Sequence, residues 1–314
     1  MEERPPEIGR HRQASSATRA LAALGGLILG LGVLAAIAFA VVGRDSGGSS
    51  APATQDTTTG PPPKPVLRIV FPEGFTRVEM ADRITAVNKI AEEKRHITSK
   101  LSEREYLRLT RTTDPPAGFP KNVPNLEGFL FPATYDFTED TTTKELVGDQ
   151  LEAFDRNWSQ IDLKYAESKN LTPYDVLTIA SMIEKEVQVP KERALVAAVI
   201  YNRLHLGMAL QIDATLRYGL DIPPTQAILQ SQLESDNPYN TRKFPGLTPT
   251  PISNPGLAAM QAAAHPAHVS YLYYVIKPCA HGAHAFSSTD ARFQRDVAAY
   301  NAARKRLGRS PVNC

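Results

Sequence analysis

One stretch of the chain has no polar break. Residues Ala20–Gly43, ALAALGGLILGLGVLAAIAFAVVG, hold no charged or strongly polar side chain. As a helix, such a run is long enough to cross a hydrocarbon core. Arg10, Arg12 and Arg19 precede it, and only Arg44, offset by Asp45, follows closely. That asymmetry leaves residues 1–19 in the cytoplasm and sends everything after 20–43 outward, a single-pass placement in the cytoplasmic membrane. Ala38-Phe39-Ala40 offers the alternative of a cleaved signal peptide, although the apolar run exceeds the usual signal core. Residues 44–65 are rich in Gly, Ser, Thr and Pro, ending in PPPKP, and read as a low-complexity tether.

Beyond the tether the pattern becomes that of a folded chain. Val66–Phe71 alternates as a strand, and Thr76 with Glu79 forms a capping box that opens a helix through about Ala91. Ser102 with Glu105 opens a shorter helix that Pro115–Pro120 breaks, giving a small α+β subdomain over 66–120. Asn125–Phe137 reads as turn plus extended segment. Thr142 and Glu145 cap a further helix, whose Val147, Leu151, Phe154 and Trp158 recur at core-facing spacing rather than as a sugar-stacking platform. Thr172 caps the next helix, with Pro173 at its first position and Ile179, Met182 and Ile183 as its apolar stripe. Pro190 interrupts, and a helix runs from Glu192 to about Leu206, closed by Gly207. Asp213 stands between a short extended run and a helical turn within Leu210–Gly219, and Asp236–Gly256 is a long loop. Tyr271–Lys277 and Ala283–Ser287 pair as a hairpin before a terminal helix, Asp290–Leu307. No internal repeat stands out. The mixed order predicts an α+β fold, with a catalytic domain over 121–314.

Composition narrows the chemistry. A net charge of +2 on 314 residues argues against nucleic acid as partner. Two cysteines, Cys279 and Cys314, make no four-ligand zinc site, and an oxidising exterior leaves a bond between them open. His265, His268, His281 and His284 form two His-x-x-His pairs without an HExxH motif. No metal or cofactor is expected; Pro266 can begin a helix there, and His284, beside a strand, suits hydrogen bonding in a polar cleft. There is no G-x-S-x-G elbow and no phosphate-binding glycine loop. The carboxylates remain. In LTIASMIEKEV, Glu186 projects within roughly 20° of Ile179, the centre of the apolar stripe, while Glu184 falls on the polar side. A carboxyl among apolar side chains holds its proton more readily, as a general acid requires, but pairing with a buried Arg would explain the placement equally. Asp213 is the best second acid for a two-carboxylate glycosidase, and Glu127 is an exposed candidate or a turn-stabilising carboxylate.

The ordered motifs IASMIEKE, ER…V…NRL, GM.LQ.D.T..YG, YNT…GL.P.PI.NPG, AA.HPA…YLY and the late G.H.F, with EGF.FP.TY upstream, resemble the MltG/YceG-like endolytic murein transglycosylases. The resemblance runs from about Val66 to Tyr300. It implies Glu186 as the catalytic acid, Glu184 as its support, and Gln211, Asp213, Tyr239, Asn240 and Thr241 as residues lining a glycan cleft. It implies peptidoglycan glycan strands as substrate and peptidoglycan synthases as neighbours. The family's LysM-like region is only partly represented, and Ala214 replaces a common Pro. Two alternatives stay open: a non-catalytic peptidoglycan-binding or scaffold protein, and a hydrolytic muramidase in which Asp213 activates water.

Overall fold

A computed structural model describes residues 64–314. The apolar run 20–43, the N-terminal segment and nearly all of the tether lie outside the described residues. Among the described residues no helix is long and apolar enough to cross a membrane.

In chain order the elements are β1 (Leu67–Val70), α1 (Arg77–Arg95), α2 (Glu103–Thr112), β2 (Thr134–Phe137), α3 (Thr143–Trp158), α4 (Lys164–Glu167) and α5 (Pro173–Glu186). A 3-10 turn, Pro190–Glu192, precedes α6 (Arg193–His205), α7 (Asp213–Gly219), α8 (Gln230–Leu233) and α9 (Leu257–Ala264). The hairpin β3 (Tyr273–Ile276) and β4 (His284–Ser287) then leads into α10 (Asp290–Leu307). Helices thus mix with two separate antiparallel pairs, β1–β2 and β3–β4, as an α+β chain requires.

The described chain divides into two compact units. One comprises residues 64–186 with Pro249–Pro266, the other Val187–Thr248 with Ala267–Cys314.

In the first unit β1 completes its sheet with β2, beyond the 66–120 segment, setting Leu67 opposite Phe137 and Ile69 opposite Tyr135. Ile69 and Phe137 face the core while Val70 faces out, the alternation of a half-buried pair. Both reciprocal capping boxes form, at Thr76/Glu79 and Thr142/Glu145. The box at Ser102 is half made: Ser102 accepts from the Glu105 amide, but the Glu105 carboxylate turns to Arg108. Phe119, Phe129, Phe154 and Trp158 interlock with ring centroids 4.9–5.6 Å apart, so the sole Trp, half-buried, packs against the core aromatics. Helix α5 is buried without break from Val176 to Ile183, and α9 packs against it. The sequence pattern missed α9, because LAAMQAAA lacks any polar-apolar period. No helix starts at Pro266; α9 ends before His265 and residues 265–272 are irregular.

In the second unit α10 packs on both strands of the β3–β4 hairpin. Buried Arg203 of α6 donates to the carbonyls of Leu272 at 2.7 Å and Leu210 at 2.8 Å, binding the hairpin's approach to the chain after α6. Cys279 and Cys314 form a disulfide, and the amides of Cys279 and His281 donate to Pro311 and Val312 at 2.7 and 3.0 Å. The C-terminal tail is thereby stitched to the hairpin turn.

A bridge spanning 35 positions removes loop-closure entropy from the unfolded chain. Replacing both cysteines by Ser is expected to lower stability by about 3 kcal/mol. Denaturant midpoints of the oxidised parent and the double variant measure this, and coincident midpoints would refute it.

Candidate active site

The site begins with the way α5 ends. Thr172 Oγ1 accepts the Asp175 amide at 3.2 Å, and Asp175 returns a bond to the Thr172 amide at 2.8 Å, so the helix starts cleanly. Its middle is wholly buried. Glu186 is the last helical residue, one turn past Met182 and Ile183, and is half-buried. It therefore sits where the apolar stripe meets the surface.

The tail of the long loop backs this helix. Ser181 Oγ accepts from the Ile252 amide at 3.0 Å, and Ser253 Oγ donates to the Ser181 carbonyl at 3.1 Å. Glu184 accepts from the Gly256 amide at 3.1 Å, and Lys185 Nζ donates to the Gly74 carbonyl at 3.1 Å. Glu184 is thus tied to backbone.

Asn254 holds that loop. Its Oδ1 accepts from the amides of Gly128 and Leu130 at 2.9 and 3.0 Å, and its Nδ2 donates to Phe75 O at 2.9 Å and Glu127 Oε1 at 2.8 Å. Its backbone pairs with Gly74 and Phe75. The sequence Glu-Gly-Phe occurs at 73–75 and again at 127–129, and both turns meet on this asparagine. Gly74 and Gly128 have φ of 78° and 93°, and a Cβ on Gly128 would strike Pro251. Glu127 is not the exposed acid expected. It is 2 % exposed and accepts the Arg77 amide at 3.0 and 3.2 Å, at the start of α1. A helix N-terminus stabilises a carboxylate, which explains its burial.

In the second unit the structure brings Gln211, Asp213, Tyr239, Asn240 and Thr241 together. The Gln211 amide donates to Thr241 O at 2.9 Å, and the Ile212 amide donates to Thr241 Oγ1 at 3.0 Å. Buried Asn240 donates to the carbonyls of Leu233 and Ser235, while Gln211 is exposed and Tyr239 half-buried against the Tyr218 ring. Asp213 begins α7 and accepts from Arg242 Nε at 2.7 Å. Burial pushes its pKa up, and the Arg242 guanidinium opposes that shift. Arg242 was not singled out in the sequence, because nothing in TRKFPG tells which basic residue turns inward.

His284 belongs to a different arrangement. It is 2 % exposed, its Nδ1–H donates to Glu192 at 2.8 Å, and its amide reaches both Glu192 oxygens at 3.1 Å. Glu192 was read only as a helix start. Burial lowers the His284 pKa while Glu192 opposes the shift; Lys277 lowers it further. His265, His268 and His281 are exposed, and among the described residues no group of three or more His, Cys, Asp or Glu side chains could hold a metal.

Known proteins then give the arrangement a context. The YceG-like family matches residues 47–299. A Bacillus subtilis (strain 168) protein named endolytic murein transglycosylase is 33% identical over 219 residues, 67% of this chain and 59% of the relative. A Streptococcus pneumoniae protein of the same name (strain ATCC BAA-255 / R6) is 33% identical over 236 residues, 69% of this chain and 42% of the relative. The chain therefore spans about half the length of these relatives. A crystal structure of a YceG-like protein from Listeria monocytogenes superposes with a TM-score of 0.61 at 31% identity, covering 73% of this chain and 75% of that one.

Asn254→Ala orphans the buried amides of Gly128 and Leu130 and removes one donor each from Phe75 O and Glu127, and is expected to cost about 3 kcal/mol. A lower denaturant midpoint at unchanged slope checks this, and an unaltered midpoint would count against the hub. The neutral His284 sets a second expectation. Its folded-state pKa lies below the ordinary 6.5, so the unfolded chain takes up the proton first. Its contribution is full above about pH 6.5 and lost as pH falls toward the depressed value. Between pH 7 and 5 the melting temperature of the parent should fall more steeply than that of His284→Asn; parallel profiles would contradict the assignment.

Proposed function

This chain belongs to the YceG-like family, and from that premise we propose that it is a peptidoglycan lytic transglycosylase with Glu186 as its catalytic residue. The observation that carries the reading is the half-buried Glu186 at the end of a helix buried from Val176 to Ile183, with Glu184 bonded to Gly256 beside it. In that setting the protonated Glu186 donates to the oxygen joining N-acetylmuramic acid to N-acetylglucosamine. The C1–O bond breaks with oxocarbenium character at C1. The carboxylate so formed takes the proton of the muramic C6 hydroxyl, whose oxygen bonds to C1 and closes a 1,6-anhydro ring. Water is not consumed, and one carboxylate serves as acid and then as base.

Gln211, Asp213, Tyr239, Asn240, Thr241 and His284 are assigned to glycan binding, directly or by shaping the elements that present Gln211 and Tyr239. A hydrolytic muramidase would need Asp213 to activate water. Its burial and its bond to Arg242 argue against that role. Under this reading residues 20–43 anchor the enzyme in the cytoplasmic membrane, residues 1–19 stay inside, and 44–65 tether the domains outside. Nascent glycan strands are the substrate, cut internally and beside the synthases that make them.

Mass spectrometry of denuded glycan strands incubated with the full-length chain and with Glu186→Gln tests the proposal. Anhydro-muramyl ends are expected from the parent, with the variant slower by about 10²–10⁴-fold. Reducing ends from the parent would replace the lytic reading by the hydrolytic one. Binding of strands without cleavage by either protein would favour the scaffold.

A further inference from the structure

We propose that a cleft in the first unit binds the stem peptide of an uncross-linked glycan strand, with Asp149 pairing to that peptide's free amine, an inference that rests on the lytic reading above. The cleft lies between β2 and α3 and has a volume of about 610 Å³, within the range of small-ligand sites. One wall is a strand edge. The Phe71 amide donates to the Ala133 carbonyl at 2.9 Å, and the β1–β2 ladder alternates from there. Tyr135 therefore exchanges backbone bonds with Ile69, while the N–H and C=O groups of Thr134 and Asp136 point away from β1. Among the described residues no third strand pairs with that edge. An open edge beside a helix offers an extended peptide donors and acceptors for its amides.

The other wall is one face of α3. Asp149, Glu152, Ala153 and Arg156 recur at helical spacing and all line the cleft. With Arg68 and Asp136 from the sheet, the lining holds three carboxylates against two guanidiniums, a net charge of one minus. Arg68 donates to Asp136 at 3.0 Å and Arg156 to Glu152 at 3.3 Å. Both pairs are largely exposed, and such pairs contribute little, so a ligand's carboxylates can take over either guanidinium at small cost. Asp149 is the acid left over, with no hydrogen bond or salt bridge among the described residues. Partial burial and the nearby Glu152 and Glu145 push its pKa up, and Arg156 opposes them. A cation at Asp149 would offset that surplus of negative charge.

The matching ligand brings amides, carboxylates and one ammonium, and the peptide carried by muramic acid has all three. The ammonium of its diamino residue persists only until cross-linking turns that nitrogen into an amide. Pairing with Asp149 thus reads the uncross-linked state of the strand. Because the peptide recurs along the strand, the bound one need not hang from the sugar being cut.

The full-length parent, Asp149→Asn, Asp149→Glu and Glu186→Gln are to be compared on uncross-linked, peptide-bearing strands and on the same strands after acetylation of the amine, which removes its charge. The readouts are kcat and KM for anhydro-muramyl products, and binding of the free stem tripeptide by NMR titration. For the parent we expect KM about fivefold lower on free-amine strands, the scale of an exposed ion pair, with kcat little changed. Asp149→Asn should abolish that preference at a parental melting temperature, and Asp149→Glu should restore most of it. Tripeptide binding should be lost on acetylation and in Asp149→Asn, and kept in Glu186→Gln. A parent that treats both strands alike overturns the proposal, as does a preference that survives in Asp149→Asn. Tripeptide binding that follows this pattern while the parent makes no anhydro ends would overturn the lytic reading instead. Normal cleavage without tripeptide binding would overturn this proposal alone.

Discussion

An amide side chain has two donors and one oxygen with two acceptor positions, and at Asn254 all four are used. The partners come from the two Glu-Gly-Phe turns, far away in sequence, and from the strand of chain that follows the second. A buried loop has no ladder to satisfy its backbone, so a side chain must do it. The loop so fixed supplies Ile252, Ser253 and Gly256 to helix α5. The position of the helix end that carries Glu186 thus descends from the satisfaction of one asparagine. Partial satisfaction would be worse than an apolar contact, since each orphaned group keeps its full desolvation cost.

The carboxylates of this chain divide by environment more than by sequence. Glu127 serves the start of α1, Glu192 serves the hairpin and Asp213 serves Arg242. Each is buried with a stated partner, and burial alone would have made any of them look like a catalytic acid. Glu186 differs from these in standing at a boundary, half-buried at the end of α5.

Much of the local structure was legible because it is written locally. The boxes at Thr76 and Thr142, the hairpin with its two β-rich runs, and the terminal helix Asp290–Leu307 all depend on residues a few positions apart. Helix α9 was not, since alanines satisfy a helix and a packed loop equally in a periodicity count. For the candidate site, 3.6-residue geometry sets Glu186 on the apolar face, and in the structure the residue ends the helix, half-buried. Asn254, Arg242 and the Glu192–His284 pair could not be read. Their meaning lies in contacts across 29 to 179 positions, and nothing in one sequence says which polar side chain will turn inward. The doubled Glu-Gly-Phe was a visible signal, overlooked because three residues fall below the length at which repeats are sought.

Each compact unit is assembled from two separate stretches, and the stretch that completes the first is made only after most of the second has been specified. Ser181 and Glu184 receive their partners from residues 71 and 72 positions later. During synthesis, therefore, α5 exists for some time without the loop that backs it, and contacts of such range form slowly. Helix α5 cannot acquire these partners until the chain has been made through Gly256, so a copy that ends before that residue lacks the loop that backs the helix end carrying Glu186.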